Sequence, residues 1–550
     1  MSHPAANMLA RTMLRSSRSR LAPSSASLYP LPISALVPAY HPSSTSSKAP
    51  SPNSTLAEDT AGSSTDHRSI GKAQSLFLTH DSSPGTPFIL PHGMRIARKV
   101  ERVVRDLYDV YGYDEVQSPQ LYKTSLWKRS GHWDNYRDDM FATEGYKDRL
   151  ARTSSSSSSI PQSSSVSEDR TACCSIHPQE ATSMKEGGQD ETFGLKPMNC
   201  PGHCLIFASQ ERSYRDLPIR YAEFSPLHRN EASGALTGLT RVRRFHQDDA
   251  HVFCRPDQVA SEINDMLAML TSAYDTFGFS SFELVLSTRP VDSYIGSVEE
   301  WDRAESGLKV ALQASGRKWE LNQGDGAFYG PKIDIRLVDG QGRRHQTATI
   351  QLDFQLPRRF DLTYADPEAK LTNQRSIPVM IHRAILGSVE RFMAILIEQT
   401  AGWWPFWLSP RQAIILPAKT DNPALIEYAT KIQKYLSLGV NPDSSPATSS
   451  ERHLQRFFVD IESNPQNEKL SKLVRKAQLA RYNYILVVGE REMQTNSVNV
   501  RKRDDKNAPQ SLTRLAKMDQ HTLDNEGKGG QYSVQDLRRM FCQLDSHHTW

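Results

Sequence analysis

Apolar and polar positions divide the chain into segments of different period. Between Met94 and Tyr111, Ile96, Val100, Val103, Val104 and Leu107 recur at helical spacing with Lys and Arg between them, which predicts an amphipathic helix. The same period returns over 255–279 (Val259, Ile263, Met266, Leu267, Leu270) and over 297–315, where Ser297 and Glu300 form a capping signature. Elsewhere strict alternation takes over, and residues of like parity then share one face of a strand. A hairpin opens at GDGAFYGPKIDIRL and returns as HQTATIQLDFQL, with Thr347, Thr349, Gln351 and Asp353 on one face and Ala348, Ile350, Leu352 and Phe354 on the other. Tyr221–Phe253 holds two more such runs joined by a loop rich in Gly, Ala, Ser and Thr. Arg229 and Glu231 share parity in the first; Arg241, Arg243, Phe245, Gln247, Asp249 and His251 share it in the second. A solvated sheet face with incidental charge has this pattern too, because antiparallel sheets often face water on one side. The same set of cations, ring, amide, carboxylate and imidazole also makes a ligand bed. Strands with one apolar and one polar face predict an α+β domain, an antiparallel platform backed by helices.

Further segments extend this platform. IPVMIHRAILGSVERFMAILIEQ reads as a strand running into a long helix. Ala384, Gly387, Ser388 and Arg391 fall at three-to-four spacing, which predicts one helix face with room for an anion; a surface arginine beside small residues is the plainer reading. Ile385, Val389, Phe392 and Leu396 are expected in the core. YGYDEVQSPQLY reads as a short strand holding Pro119, a residue expected in strands only at edges or bulges. From about Trp404 the order QAIILPA, helix 423–438, RFFVDI, helix 469–480, YNYILVVG and SVNVRKR gives β-α-β-α-β-β, the pattern of a small α/β domain.

Composition adds boundaries. A chain of 550 residues holds more than one domain. Its hydrophobic fraction is only 38% because Ser, Pro and Thr crowd the first 75 residues and 151–190. Residues 143–190 and 441–453 are expected to be Ser-rich surface insertions. Residues 1–57 contain no Asp or Glu and carry Arg11, Arg15, Arg18 and Arg20 among many serines, the composition of an organellar transit peptide; a basic tail with another purpose shares it. The expected organisation is a leader over 1–74, a first domain over 75–403 and a second domain over 404–550. The net charge of +4 permits RNA binding without arguing for it. Six cysteines form neither a CxxC pair nor a disulfide framework, which favours a reducing interior. No apolar run approaches the ~20 residues of a membrane span.

Three signatures stand in order: a strand with Pro119, a strand-loop-strand with HRNE then RVRRF, and a helix with GSVER. They resemble the three motifs of class II aminoacyl-tRNA synthetases. KPMNCPGH, SYRDLP, AEFSPLHRNE, QDDAHVFC, FELVLSTRP, GAFYGPKID, QLDF and VMIHRAILGSVER are similar to the threonyl-tRNA synthetases within that class, from about Ser75 to the C-terminus. The resemblance implies a six-stranded antiparallel catalytic sheet with flanking helices, a C-terminal α/β anticodon-binding domain and a homodimer built around the Pro119 segment. It implies threonine, ATP and tRNA(Thr) as substrates, one Zn²⁺ per subunit and Mg²⁺ with the ATP; the acid-free, Arg-rich leader adds the expectation of import into the mitochondrial matrix.

The resemblance also assigns residues. Arg229 would clamp the α-phosphate and carboxylate, Glu231 would accept from the adenine amino group, and Phe245 would stack on the base. Arg241 and Arg391 would hold the γ-phosphate, with Gln346 and Thr349 near the nucleotide. Zinc would sit on Cys200, His251 and His382, residues whose spacing alone suggests only a buried cysteine and two core histidines. Asp249 would accept from the threonine hydroxyl, with Gln247, Gln351, Tyr329 and Ser388 at the amino acid. His132 matches a histidine implicated in transfer to tRNA, or else packs beside Trp133. Asn467, Glu492 and Arg501 match anticodon-reading positions. Arg244 and His246 depart from the smaller residues expected beside Phe245, and their parity points them away from the site. Without an HxxxH pattern in the first 75 residues, serine misactivation is expected with no removal in cis.

Overall fold

In the computed structural model the described residues run from 66 to 548, apart from 146–191, 280, 293, 339–341, 367–374, 440–455, 463–467, 506–507 and 509–529. The bulk of both Ser-rich insertions, most of the leader and Asn467 therefore lie outside the described residues. The leader does not extend to residue 74 as expected. His67–Ala73 forms a helix, α1, capped by the Asp66 side chain and buried at His67, Ile70 and Gly71. With Ile70 its only large apolar residue, the segment carries too little periodicity to be read from sequence.

The predicted long helix is α2 (Pro91–Tyr111). Pro91 occupies its first turn, where a missing N–H costs nothing, and Gly112 closes it at φ +67°. Its stripe of Ile96, Val100, Val103 and Val104 is buried. The catalytic sheet then assembles from β1 (Asp114–Glu115), β2 (Ile219–His228), β3 (Arg244–Cys254), β4 (Glu283–Ser287), β5 (Trp319–Asn322), β6 (Lys332–Val338), β7 (Arg344–Asp353) and β8 (Val379–Ser388). Their order across the sheet is β5-β4-β6-β7-β8-β3-β2-β1. The six central strands, β4 to β2, pair antiparallel. Each edge adds a short parallel strand, β5 on β4 and β1 on β2, neither long enough to show alternation in sequence. Pro119 falls in the connection after β1 rather than inside a strand; the last pairing there is Val116 N–H to the Ala222 carbonyl at 2.8 Å, the Ser118 N–H donates instead to the Glu223 side chain at 3.0 Å, and Pro119 has no N–H to offer.

One face of this sheet packs against α1, α2, α4 (Val259–Thr276), α5 (Val298–Ala314) and α6 (Val389–Thr400) in a single core. The Ser297–Glu300 capping box is formed at the start of α5. The other face carries α3 (Cys200–Ala208) at one end and an open cleft at the other.

The second domain is a five-stranded sheet of β9 (Ala413–Pro417), β10 (Val459–Ile461), β11 (Tyr484–Val488), β12 (Ser497–Lys502) and β13 (Gly530–Ser533), ordered β10-β9-β11-β12-β13. β9, β10 and β11 run parallel, and β12 and β13 add antiparallel. α7 (Pro423–Leu438) and α9 (Val534–Ser546) share one core with the sheet, and α8 (Leu470–Leu479) forms another. Cores on both faces explain the continuous apolar run Ala413–Pro417. The expected boundary at 404 is too early. Trp404, Trp407 and Leu408 belong to the catalytic core, and Phe406 to the second one. The units are also joined through α2, where Arg95 Nη1 donates to the Pro410 carbonyl at 2.7 Å and Lys99 Nζ lies 2.6 Å from Asp545.

Candidate active site

Strand pairing lays the site out in rows. Gln351, His382 and His251 are cross-strand partners on β7, β8 and β3. Two residues further along, Thr349, Ala384 and Asp249 form the next row, and Ser388 opposite Gln247 the third. A step of two keeps every row on one face, so the parity of Phe245, Gln247, Asp249 and His251 places them together as expected.

At one end α3 lies over this face. Asn199, just before it, donates from Nδ2 to Asp249 Oδ2 at 3.1 Å and accepts from Ser225 Oγ at 3.2 Å. Cys200 is the first residue of the helix, and its Sγ converges with ring nitrogens of His251 and His382, all within 4.8 Å of one another. His382 Nε2 lies 2.8 Å from Asp353 Oδ2, so its proton sits there and Nδ1 keeps a lone pair. His203 Nε2 lies 3.1 Å from Glu223 Oε2, and His203 Nδ1 is 2.8 Å from His251 Nδ1. His203 thus donates to the carboxylate and accepts from His251, which leaves His251 Nε2 as an acceptor 3.0 Å from His382 Nδ1. Two imidazole lone pairs and a thiol aimed at one point, each ring oriented by an outer partner, form a donor set suited to zinc. Burial pushes the Cys200 thiol well above its ordinary value and His251 well below its own, so both are neutral until an ion draws the thiol proton away. Asp249 is also pushed up by burial.

His132 is buried, with Nδ1 2.7 Å from Ser130 Oγ and Nε2 3.7 Å from Cys200 Sγ. Burial lowers its pKa to about 4. It packs against Trp127, ring edge to face at 6.2 Å, and against Tyr136, tilted at 6.2 Å. Tyr329 stacks obliquely on His382 at 5.3 Å, and Gln351 Nε2 donates to the Gly330 carbonyl at 3.0 Å.

Beyond Asp249 the face opens into a cleft of about 290 Å³ lined by Arg229, Glu231, Arg241, Phe245, Gln346 and Arg391 among others. The alternation argument reached these residues only in part. Arg229, Glu231 and Arg241 lie in the connection between β2 and β3, not on strands. Arg229 stands over the Phe245 ring at 5.1 Å, and Arg241 Nε donates to Glu231 Oε2 at 2.8 Å. Arg243, expected on the same face, instead donates to the Glu231 carbonyl at 2.9 Å and to Ser233 Oγ at 3.2 Å, outside the cleft lining. His246 turns away as expected, its Nδ1 2.8 Å from Glu390.

Two bulges correct the remaining expectations. The β6–β7 register shifts so that Ile335 faces Ala348 and Arg336 faces Gln346. Thr347 is skipped, and its hydroxyl meets Tyr274 in the core at 2.7 Å rather than sharing a face with Thr349. Gln346 and Thr349 thereby come to one side despite opposite parity, their side chains 3.2 Å apart. Ala384, Gly387 and Ser388 belong to β8, not to a helix. A shift between Ala384 and Ser388 brings them to the cleft beside Arg391 in the first turn of α6. Arg391 Nε donates to the Thr240 carbonyl at 3.0 Å. Burial, and then Arg229 and Arg241, hold its guanidinium below the ordinary value. Cations pressed together in this way favour a polyanion among them.

Residues 183–400 match the class II tRNA synthetase core domain of the G, H, P, S and T enzymes, and 412–517 match an anticodon-binding domain. The chain is 44% identical over 447 residues to a probable mitochondrial threonine–tRNA ligase of Schizosaccharomyces pombe, covering 80% of this chain and 85% of that one. The chain belongs to the threonine–tRNA ligase family. A probable cytoplasmic threonine–tRNA ligase of Dictyostelium discoideum is 48% identical over 80% of this chain, which spans only 52% of that longer relative. A crystal structure of a Cryptosporidium parvum threonyl-tRNA synthetase RNA-binding domain superposes with a TM-score of 0.68 at 39% identity, covering 87% of this chain and 98% of that one.

Within the family frame, two of the other expected residues, Glu492 and Arg501, fall in the anticodon-binding domain, apart from this site. Arg501 is exposed on β12, while Glu492 Oε2 accepts the Gly489 N–H at 2.9 Å as a helix cap. Sequence reasoning missed His203, Glu223, Asp353 and Asn199 as the outer partners of this cluster. Cys200 and His203, three apart on one helix, and Asp353, of one parity with Gln351, were signals that could have found two of them.

Proposed function

We propose that this chain ligates threonine to tRNA(Thr) in the mitochondrial matrix, as a homodimer whose amino-acid pocket is keyed by zinc on Cys200, His251 and His382. The observation that supports this is the convergence of those three donors within 4.8 Å at the end of an arginine-lined cleft. Zinc held there would offer a coordination position to the amine and hydroxyl of threonine, which isosteric valine cannot match.

The chain's own residues do the remainder. Asp249 accepts from the threonine hydroxyl, and Gln247, Gln351, Tyr329 and Ser388 contact the amino acid. Phe245 stacks on adenine, Glu231 accepts from its amino group, and Gln346 and Thr349 lie beside the nucleotide. Arg229 spans the α-phosphate and the threonine carboxylate, while Arg241 and Arg391 hold the γ-phosphate; Mg²⁺ accompanies ATP on its phosphates. A carboxylate oxygen attacks the α-phosphorus, the bond to pyrophosphate breaks, and the fixed cations meet charge where it grows. The terminal ribose hydroxyl of tRNA then attacks the acyl carbon beside His132, and AMP leaves. Asn467, Glu492 and Arg501 read anticodon bases, and the Pro119 connection at the β1 edge borders the second subunit. The acid-free, Arg-rich leader supports import.

Threonine-dependent pyrophosphate exchange on metal-analysed protein tests the reading. One zinc per subunit and exchange lost on chelation are expected. Full exchange without metal overturns the zinc assignment, and tRNA binding without any exchange marks a synthetase-derived RNA-binding protein instead.

A further inference from the structure

His67 joins two parts of the nucleotide cleft from behind. Its Nδ1 lies 2.8 Å from Glu398 Oε1 near the end of α6, the helix that carries Arg391 in its first turn. Its Nε2 accepts the Leu239 N–H at 3.2 Å. That bond fixes the tautomer: Nε2 has the lone pair, so the ring proton is on Nδ1 and is donated to Glu398. Leu239 is fully buried, at the centre of a turn in which Thr237 N–H meets the Arg241 carbonyl at 3.1 Å. Gly238, at φ +48°, lies so close that a β-carbon there would stand 2.2 Å from His67 Nε2. The same turn carries Thr240 and Arg241 into the cleft, and from the cleft side Arg391 Nε holds the Thr240 carbonyl at 3.0 Å. The turn is therefore gripped from both sides, by Arg391 in front and His67 behind. Asp66, His67 and Glu398 stand close enough to suggest a cation site, but the His67 proton and the Arg343 guanidinium already engage Glu398, and Asp66 caps α1.

We propose that His67 is a positioning residue for ATP: it holds the Thr237–Arg241 turn, and with it Arg241, at the distance from Arg391 that the triphosphate needs. This rests on the reading of the Arg391 cleft as the ATP site. Nothing in it requires His67 to touch a substrate. It follows that α1, though it continues a leader-like stretch, belongs to the catalytic unit, and that import processing must leave Asp66 and His67 in place.

The test is pyrophosphate exchange with ATP and threonine varied separately, on full chain with its metal. Removing the acceptor leaves a buried N–H unpaired, so His67→Ala is expected to raise the KM for ATP about tenfold with the KM for threonine within about twofold. His67→Gln keeps an acceptor near Nε2 and should recover most of the ATP affinity, whereas His67→Asn, which reaches only Glu398, should not. Gly238→Ala, which keeps the His67 imidazole but sets a β-carbon against His67 and Arg68 and so pushes the turn off α1, should mimic His67→Ala; combined with it, no further loss is expected. Unchanged KM for ATP in His67→Ala and Gly238→Ala, or equal loss for ATP, threonine and turnover without rescue by glutamine, overturns the proposal. Arg391→Ala reports separately on the underlying reading: an unaltered KM for ATP there rejects the cleft as the ATP site.

Discussion

A β-carbon on Gly387 would lie 2.3 Å from the carbonyl oxygen of Thr347. Gly387 has φ +67°, a conformation costly for other residues, and Thr347 is the skipped position of the neighbouring strand. The two irregularities nest, and the nesting turns Ser388 and Arg391 to the arginine-lined cleft. Gly387→Ala is expected to cost about 1–3 kcal/mol in urea unfolding and to weaken ATP more than threonine in exchange kinetics. A variant with wild-type melting and wild-type KM for ATP would show that the bulge tolerates a side chain.

Asp248 holds the same bulge from beneath. Its carboxylate accepts the N–H groups of Ile385 at 2.7 Å and Leu386 at 2.9 Å, donors that the bulge removes from the β8 ladder. Asp248→Asn turns one acceptor into a donor facing an N–H. A loss of about 2–4 kcal/mol is expected, measured by denaturant melts, and stability within 0.5 kcal/mol of wild type (about the scatter of a neutral surface change) would refute this role.

Acid should expose the network behind His251. Burial pushes the Glu223 carboxyl up, but hydrogen bonds from His203, Lys196 and Ser225 outweigh it and hold it at about 2. A folded value below the ordinary 4.5 means that the contribution is present above about pH 4.5 and is lost as pH falls through about 2. It amounts to about 3 kcal/mol. Glu223→Gln should be less stable than wild type at pH 7, with the buried Lys196 left without a carboxylate counter-ion, and the gap should narrow steadily toward pH 2. A gap independent of pH would contradict the ionised state assigned here.

Metal uptake should be steep in pH. Burial keeps the Cys200 thiol protonated, so binding must release its proton, and apparent zinc affinity should rise about tenfold per pH unit below the thiol's value. Cys200→Ala should purify without zinc and lose threonine-dependent exchange. Zinc retained at one equivalent in that variant would exclude the thiolate as a ligand.

Serine carries the same amine and hydroxyl as threonine. The missing methyl is worth about 1–3 kcal/mol, or about 10–200-fold, so serine-dependent exchange should be measurable while valine gives none. Discrimination against serine beyond about 1000-fold would demand a further selecting contact.

Regular stretches of the fold were legible in the sequence and irregular ones were not. Parity grouped Phe245, Gln247, Asp249 and His251 because β3 pairs without a break against β2 from Ile219 to His228. The same rule misplaced Arg243 and Thr347, one beyond the strand and one at a bulge, since a single extra residue reverses every face after it. Ala384, Gly387, Ser388 and Arg391 were grouped rightly but on a helix face, because a bulged strand entering a helix imitates its spacing. Cys200, His251 and His382 come from three elements far apart in the chain, and only the resemblance linked them. His67 was hidden within a stretch read as leader.

The two tryptophans at the domain seam bear on any attempt to divide the enzyme. Trp404 and Trp407 are only 2% exposed, sunk in the catalytic core. A fragment severed after Trp403 would keep the socket and discard its plug, while its C-terminal counterpart would display two indoles to water. Each half would then be adhesive for reasons unrelated to its own fold; a cut between Ser409 and Gln412 would keep both tryptophans in their socket but would carry Phe406 away from the second core.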